Sequence, residues 1–205
     1  MTFLSAAQSA AIRLVGQRPS AFWTSSDQFA LEICDLANNV AENLMRAADW
    51  RVLTKFHTIN GDGSTVAFDL PADYDRMLVK GAVFRPSWNT WHYSPANDLD
   101  QWRDLLNGQP SVTPGYWILL EGKMQIWPAV PVGDGAQFYY ISKNCVKPST
   151  GDTKAKFTAD NDTFLLDETL LTLGLIWRWR QQKRMEYAED LQNFERELEE
   201  RSGKD

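Results

Sequence analysis

Histidine and cysteine are scarce in this chain, and that scarcity removes much of enzyme chemistry at the outset. Only His57 and His92 stand among 205 residues. Neither falls in an H-x-x-x-H or H-E-x-x-H spacing, so no metal-ligand set is written in the sequence. Cys34 and Cys145 are far apart and outside any C-x-x-C or zinc spacing, and both read as reduced thiols of a cytosolic protein. A G-x-S-x-G elbow, a Walker loop and a dinucleotide fingerprint are all missing. No apolar run approaches the ~20 residues that span a bilayer. The opening MTFLSAAQSAAIRLVGQ lacks the basic and long apolar regions of a secretory signal. These absences predict a soluble chain made in the cytoplasm, with no membrane partner, no cofactor, and no catalytic or metal-binding residues.

Long basic runs are missing too. The formal net charge is -6 and the pI about 5.0, whereas a grip on phosphates needs positive charge, at least locally. An acidic surface can still line a channel through which nucleic acid slides, because repulsion prevents sticking. A composition 43% hydrophobic and 23% charged is that of a folded globular protein. The unusual abundance is nine tryptophans. They suit either a tryptophan-rich core or surfaces that become buried on assembly.

The pattern along the chain predicts helices at both ends and strands between. Phe3, Leu4, Ala7, Ala10, Ala11, Leu14 and Val15 repeat at helical spacing up to Gly16. A second helix is expected over 26–49, from Phe29, Ile33, Leu36, Val40 and Leu44, with Ser25 and Gln28 as a capping box and Asp27 favouring its start. At Trp50 the period changes to two. RVLTKFHTI and TVAFDL read as a hairpin around NGDGS, with Asn60-Gly61 supplying positive φ. DRMLVKGAVF reads as another strand. Residues 85–115 read as irregular apart from a helix over Asp98–Leu106, on which Leu99, Trp102, Leu105 and Leu106 share a face. A hairpin turning at Glu121-Gly122 and a last strand, GAQFYYIS, follow. The expected fold class is α+β: a helical bundle from 1–50 and 160–205, a small inserted antiparallel β-domain at 51–143, and a connector at 144–159.

Two constellations invite chemistry. Asp160, Asp162, Asp167 and Glu168 cluster, but a place at a helix start explains them without catalysis. Trp88, Trp91, Tyr93 and Trp102, with Asn89, Asn97 and Asp98, suit either a sugar-stacking platform or packing over a core.

The stretch 160–198 carries most of the functional signal. Its apolar run Leu170–Trp177 must be buried in its own core or against a partner. Next to it Trp177, Arg178, Trp179 and Arg180 point about 100° apart in succession, so the helix must be contacted around much of its circumference, in the middle of a bundle or at a subunit interface. Further on, Tyr187, Leu191, Phe194 and Leu198 form a single apolar stripe on a charged segment. Such a stripe needs a partner surface.

This segment resembles the C-terminal part of head–tail adaptor proteins of tailed bacteriophages, also called head-completion or connector proteins. The matching residues are Leu165–Glu168, Leu173-Gly174, Trp177–Arg180 and Tyr187-Ala188. The helix through Cys34-Asp35-Leu36-Ala37 to Trp50, the step Leu70-Pro71-Ala72-Asp73-Tyr74, and Gly115–Trp117 through Trp127-Pro128-Ala129 agree in order. Relatives often carry glycine after the basic block, where this chain has Arg184-Met185. The resemblance implies a virion structural protein at the neck, made in the host cytoplasm. It implies a homo-oligomeric ring, commonly of about twelve copies, beneath the portal protein. That ring extends the DNA channel without specific DNA binding and receives a tail, nozzle or stopper protein. It also implies that Tyr187, Leu191, Phe194 and Leu198 reach the portal. A carbohydrate- or ligand-binding β-module on a helical assembly stalk is the second reading.

Overall fold

Asp27, rather than Ser25, starts the long helix expected over 26–49. In a computed structural model describing residues 2–88, 90–108 and 114–204, its carboxylate accepts from the N–H groups of Phe29 (3.1 Å) and Ala30 (3.4 Å). Ser25 Oγ accepts only from Asp27 N–H. The capping box is therefore replaced by a single aspartate cap.

The helices are α1 (Phe3–Val15), α2 (Gln28–Ala47), α3 (Leu99–Leu106), α4 (Glu168–Gln182) and α5 (Ala188–Lys204). The first strands are β1 (Thr54–Asn60), β2 (Ala67–Asp69), β3 (Tyr74–Met77), β4 (Val83–Phe84) and β5 (His92–Pro95). The rest are β6 (Tyr116–Leu120), β7 (Lys123–Trp127), β8 (Gly135–Ser142), β9 (Val146–Lys147) and β10 (Thr163–Phe164). They separate into two compact units, Met1–Leu53 with Lys143–Asp205, and Thr54–Ser142.

In the first unit, α1 buries Phe3, Ala6, Ala7, Ala10 and Ala11. Its small side chains let it lie close against α4. Gly16, in the left-handed region at φ 68°, ends it. Its beginning is unusual, because Thr2 makes no side-chain cap. The free N–H groups of Phe3 and Leu4 instead donate to the carbonyls of Asp162 (2.6 Å) and Asp160 (3.0 Å). The Asp160 carboxylate takes the N–H groups of Phe22 and Trp23. Asp162 is 1% exposed and accepts from Thr158 N–H (2.7 Å) and Ala159 N–H (2.9 Å), with Lys154 Nζ at 2.7 Å. Burial alone would raise its pKa, but these partners outweigh burial and lower it. Both acids therefore staple a loop, and only Asp167 of the expected helix-start group caps α4, through Thr169 N–H at 2.7 Å. Above the loop the rings of Phe3, Phe22, Trp23, Phe157 and Phe164 pack at centroid spacings of 5.3–5.9 Å.

The second unit overturns the expected fold class. The chain is not a helical bundle with a small antiparallel insert. Among the described residues, five helices accompany a mixed eight-stranded sheet, and the strands outweigh the bundle. The sheet runs β1-β8-β4-β5-β6-β7-β2, with β3 also on β8. β5 and β6 pair in parallel, because α3 lies between them and carries the crossover that parallel strands require. The expected hairpin between β1 and β2 does not form: β1 pairs with β8, and β2 with β7. Gly61 serves close approach rather than positive φ. A Cβ there would lie 2.3 Å from the Pro131 carbonyl oxygen. The hairpin at Glu121-Gly122 does form, with φ of 53° and 72°, as a tight turn with both central residues left-handed requires. The unit's core gathers Ile59, Val83, Tyr93, Met124, Ile126, Val130, Phe138 and Tyr140. On α3 only Trp102 and Leu105 are buried, while Leu99 and Leu106 are exposed.

Replacing Asp162 with alanine leaves two backbone donors without their acceptor and the Lys154 ammonium without its carboxylate. The expected loss is about 2–3 kcal/mol of unfolding free energy, read from the shift of a urea transition. A loss indistinguishable from an exposed-site control would show that the loop is not held this way.

Candidate functional site

Helix α4 is apolar on nearly every side. It buries Leu170, Leu171, Thr172, Gly174, Leu175, Ile176, Trp177 and Trp179, packing against α1, α2 and α5. Gly174 sets the approach of α2, since a Cβ there would lie 2.4 Å from Val40 Cγ1. The paired tryptophans point to different neighbours, as their angular spacing requires. Trp179 donates from Nε1 to Glu32 Oε2 (3.0 Å) and meets the Phe29 ring edge-on at 5.7 Å. Trp177 instead meets Tyr187 and Phe194 at 6.5 and 5.9 Å.

The charged members of the run are also engaged. Arg178 places its guanidinium 4.2 Å from the Trp177 ring centre. Arg180 pairs with Asp190 at 2.5 Å. Lys183 pairs with Glu32 at 2.7 Å. Burial raises the Glu32 pKa, but its bonds from Lys183, Gln28 and Trp179 outweigh that and lower it.

After α4 the chain turns back. Arg184 sits at φ 57°, the left-handed region in which glycine is at ease. This is the position where the resemblance leads one to expect glycine. Met185 N–H reaches back to the Arg180 carbonyl at 2.9 Å. The chain therefore ends in two helices rather than one, and α5 lies along α4.

Leu191, Phe194 and Leu198 are brought together on one side of α5, with Tyr187 just before its first residue, each half-buried. No residue of α5 is fully buried. Between the helices a cavity of about 100 Å³ is lined by Val40, Leu44, Trp177, Phe194 and Leu198, among others. Trp177 Nε1 is buried without a hydrogen-bond acceptor. A second ion pair, Arg201–Asp167 at 3.2 Å, ties the far end of α5 to the first turn of α4.

The aromatic group in the second unit does not assemble into a platform. Tyr93 and Trp102 are 1% and 2% exposed. Trp102 donates to Gln125 Oε1, and Trp88 stacks on Tyr93 at 5.0 Å beneath the Arg85 guanidinium. Only Trp91 of the four is open. Asn89 lies outside the described residues.

A polar network that the residue pattern did not signal centres on Asp73. It accepts from Lys55 Nζ (2.6 Å), Tyr140 OH (2.8 Å) and Ser142 Oγ (2.7 Å). Burial pushes its pKa up, yet these three donors outweigh burial and hold it at about 2. His57 packs on Phe138, whose contact desolvates it and lowers its pKa despite the pull of Asp73. Asp73 belongs to the Leu-Pro-Ala-Asp step, so its role was visible only as part of a motif.

Cys34 and Cys145 are buried. Burial, with the Asp160 charge adding, pushes the Cys34 thiol up to about 12. Burial takes Cys145 to about 11. Such thiols are poor nucleophiles. Among the described residues, no cluster of His, Cys, Asp or Glu could hold a metal ion. No described helix is long and apolar enough to cross a membrane. What the chain assembles best is a helical contact surface, α4 with α5.

The family model described as SU10 adaptor protein matches this chain over residues 1–205. No curated protein matches it.

Two outcomes test the geometry. Gly174→Ala forces α2 and α4 apart and should cost about 1–3 kcal/mol, measured by denaturant unfolding. For Asp73 the folded pKa lies below the ordinary aspartate value of 3.8, so its contribution is full above that value. It is lost as pH falls from there through about 2. Wild type should lose about 2 kcal/mol over that window that Asp73→Asn, already destabilised at neutral pH, does not lose. Parallel acid profiles would exclude the network.

Proposed function

The chain belongs to the SU10 adaptor protein family, a family of phage head–tail adaptors, and on that premise we propose that it forms a ring at the virion neck. It docks beneath the portal protein, extends the DNA channel, and receives a tail, nozzle or stopper protein. The observation that carries this reading is α5. It is a charged helix with no fully buried residue and one apolar stripe, Leu191, Phe194 and Leu198, continued by Tyr187 just before it. A helix that its own fold buries only halfway is suited to contact a second protein, and the stripe is assigned to the portal.

Residues 1–50 and 160–205 supply the ring-forming part, and residues 51–143 the β-domain. Trp177 and Trp179 form the rigid interior of the ring-forming part, and Arg178 lies at its surface. The exposed Ile12, Val15, Leu31 and Met185 add apolar surface on which neighbouring copies can pack. Ring closure multiplies modest contacts, so no single interface needs a large area. A net charge of -6 per copy gives passing DNA little to hold. The adaptor is made in the host cytoplasm and needs neither cofactor nor membrane.

Co-expression with the portal protein of the same phage tests this. The full chain should co-purify with portal, and electron microscopy should show a ring below it. Truncation after Met185 should leave a folded protein, by circular dichroism, that no longer joins portal. Leu191→Glu with Leu198→Glu should do the same without shortening the chain. Portal attachment by either variant at the wild-type level would refute the assignment of α5.

A further inference from the structure

The stripe assigned to the portal already has an occupant. Tyr187 and Phe194 stack against Trp177 of the same chain, and Phe194 lies 3.4 Å from where a Gly174 Cβ would stand. One face of one helix cannot pack on α4 and on a second protein together. An ion pair brackets this contact at each end, Arg180–Asp190 and Arg201–Asp167. Their side chains keep between 22% and 46% of their exposure, so salt and solvent reach them.

The contact is also imperfect. It leaves the cavity of about 100 Å³ and an indole N–H without an acceptor, both of which weaken it. The link between the helices turns through a left-handed Arg184. That bend positions α5 for return to α4 and marks where it would swing away.

We infer that α5 is a self-inhibitory strap: docked on α4 it covers the portal-binding stripe, and portal binding requires that it lift. This rests on the assignment of the stripe to the portal. Binding then competes with an intramolecular contact. The apparent affinity is the intrinsic affinity scaled by the fraction of chains with α5 lifted. The two ion pairs set that fraction, and breaking one raises it.

The test fixes the strap reversibly in the full chain. Arg180→Cys with Asp190→Cys is bridged by a short bis(methanethiosulfonate), closure is checked by intact mass, and reductant removes the bridge. Cys34 and Cys145 are buried and do not compete. Capture on immobilised portal protein of the same phage should be at least tenfold weaker for the bridged form than for the same sample after reduction. Asp190→Lys, with the strap loosened, should capture portal several-fold better than wild type. Its amides over 188–204 should exchange hydrogen faster. Equal capture before and after reduction overturns the strap, as does an Asp190→Lys protein that binds no better than wild type. Failure of wild type, Asp190→Lys and the reduced double-cysteine protein alike to capture portal overturns the portal assignment instead, so the two ideas fail separately.

Discussion

Residues 157–162 hold the helical unit together through backbone donors that would otherwise be buried without partners. The start of α1 lacks a side-chain cap, and a helix start buried without acceptors costs free energy for each orphaned N–H. The carbonyls of Asp160 and Asp162 meet that need. The Asp160 carboxylate does the same for Phe22 and Trp23, and Asn38 exchanges two hydrogen bonds with the backbone of Phe157. One loop thereby fixes α1, α2 and the segment joining them. The α4 helix follows directly, already oriented by what its preceding loop has bound.

The rest of the unit is a consequence of how closely α4 can be approached. Alanines on α1 and Gly174 on α4 remove the side chains that would hold the helices apart. The bulky residues then fall at the ends and outer side of α4, with Trp179 toward α2 and Trp177 toward α5. The last helix receives what is left, one indole face and two charged ends. Its marginal burial is a geometric result of a core already filled by α1 and α2.

The first two helices were legible because each carries a periodic apolar face several turns long, and this is why α1 and α2 fell near their expected bounds. The second unit was not legible to the same degree. DRMLVKGAVF reads as one strand but forms the ends of two, β3 and β4, around a turn closed by Gly81 N–H on the Leu78 carbonyl. His92–Pro95 is too short to show alternation, its strand character coming from pairing with β4 and β6. Register is non-local as well. RVLTKFHTI reads as a strand, but nothing in it says that its partner is GAQFYYIS rather than the nearer TVAFDL. Of the site residues, the stripe on α5 was visible as a pattern, whereas its contact with Trp177 was not, because periodicity names a face and not what covers it. Asp160 and Asp162 looked like helix-start acids since sequence proximity to α4 cannot distinguish capping from bonding to segments far away in the chain.

The order of β8 within the sheet has a consequence for synthesis on the ribosome. β1 and β3 pair only with β8, so neither has its partner until residue 142 has emerged. α1 and α2 wait longer still, because the segments that bury them, residues 157–162 and α4, are made after residue 142. A nascent chain therefore completes its middle before its beginning. Through that interval the N-terminal helix must survive with its apolar face uncovered, and a face made largely of alanine offers little for other nascent chains to stick to.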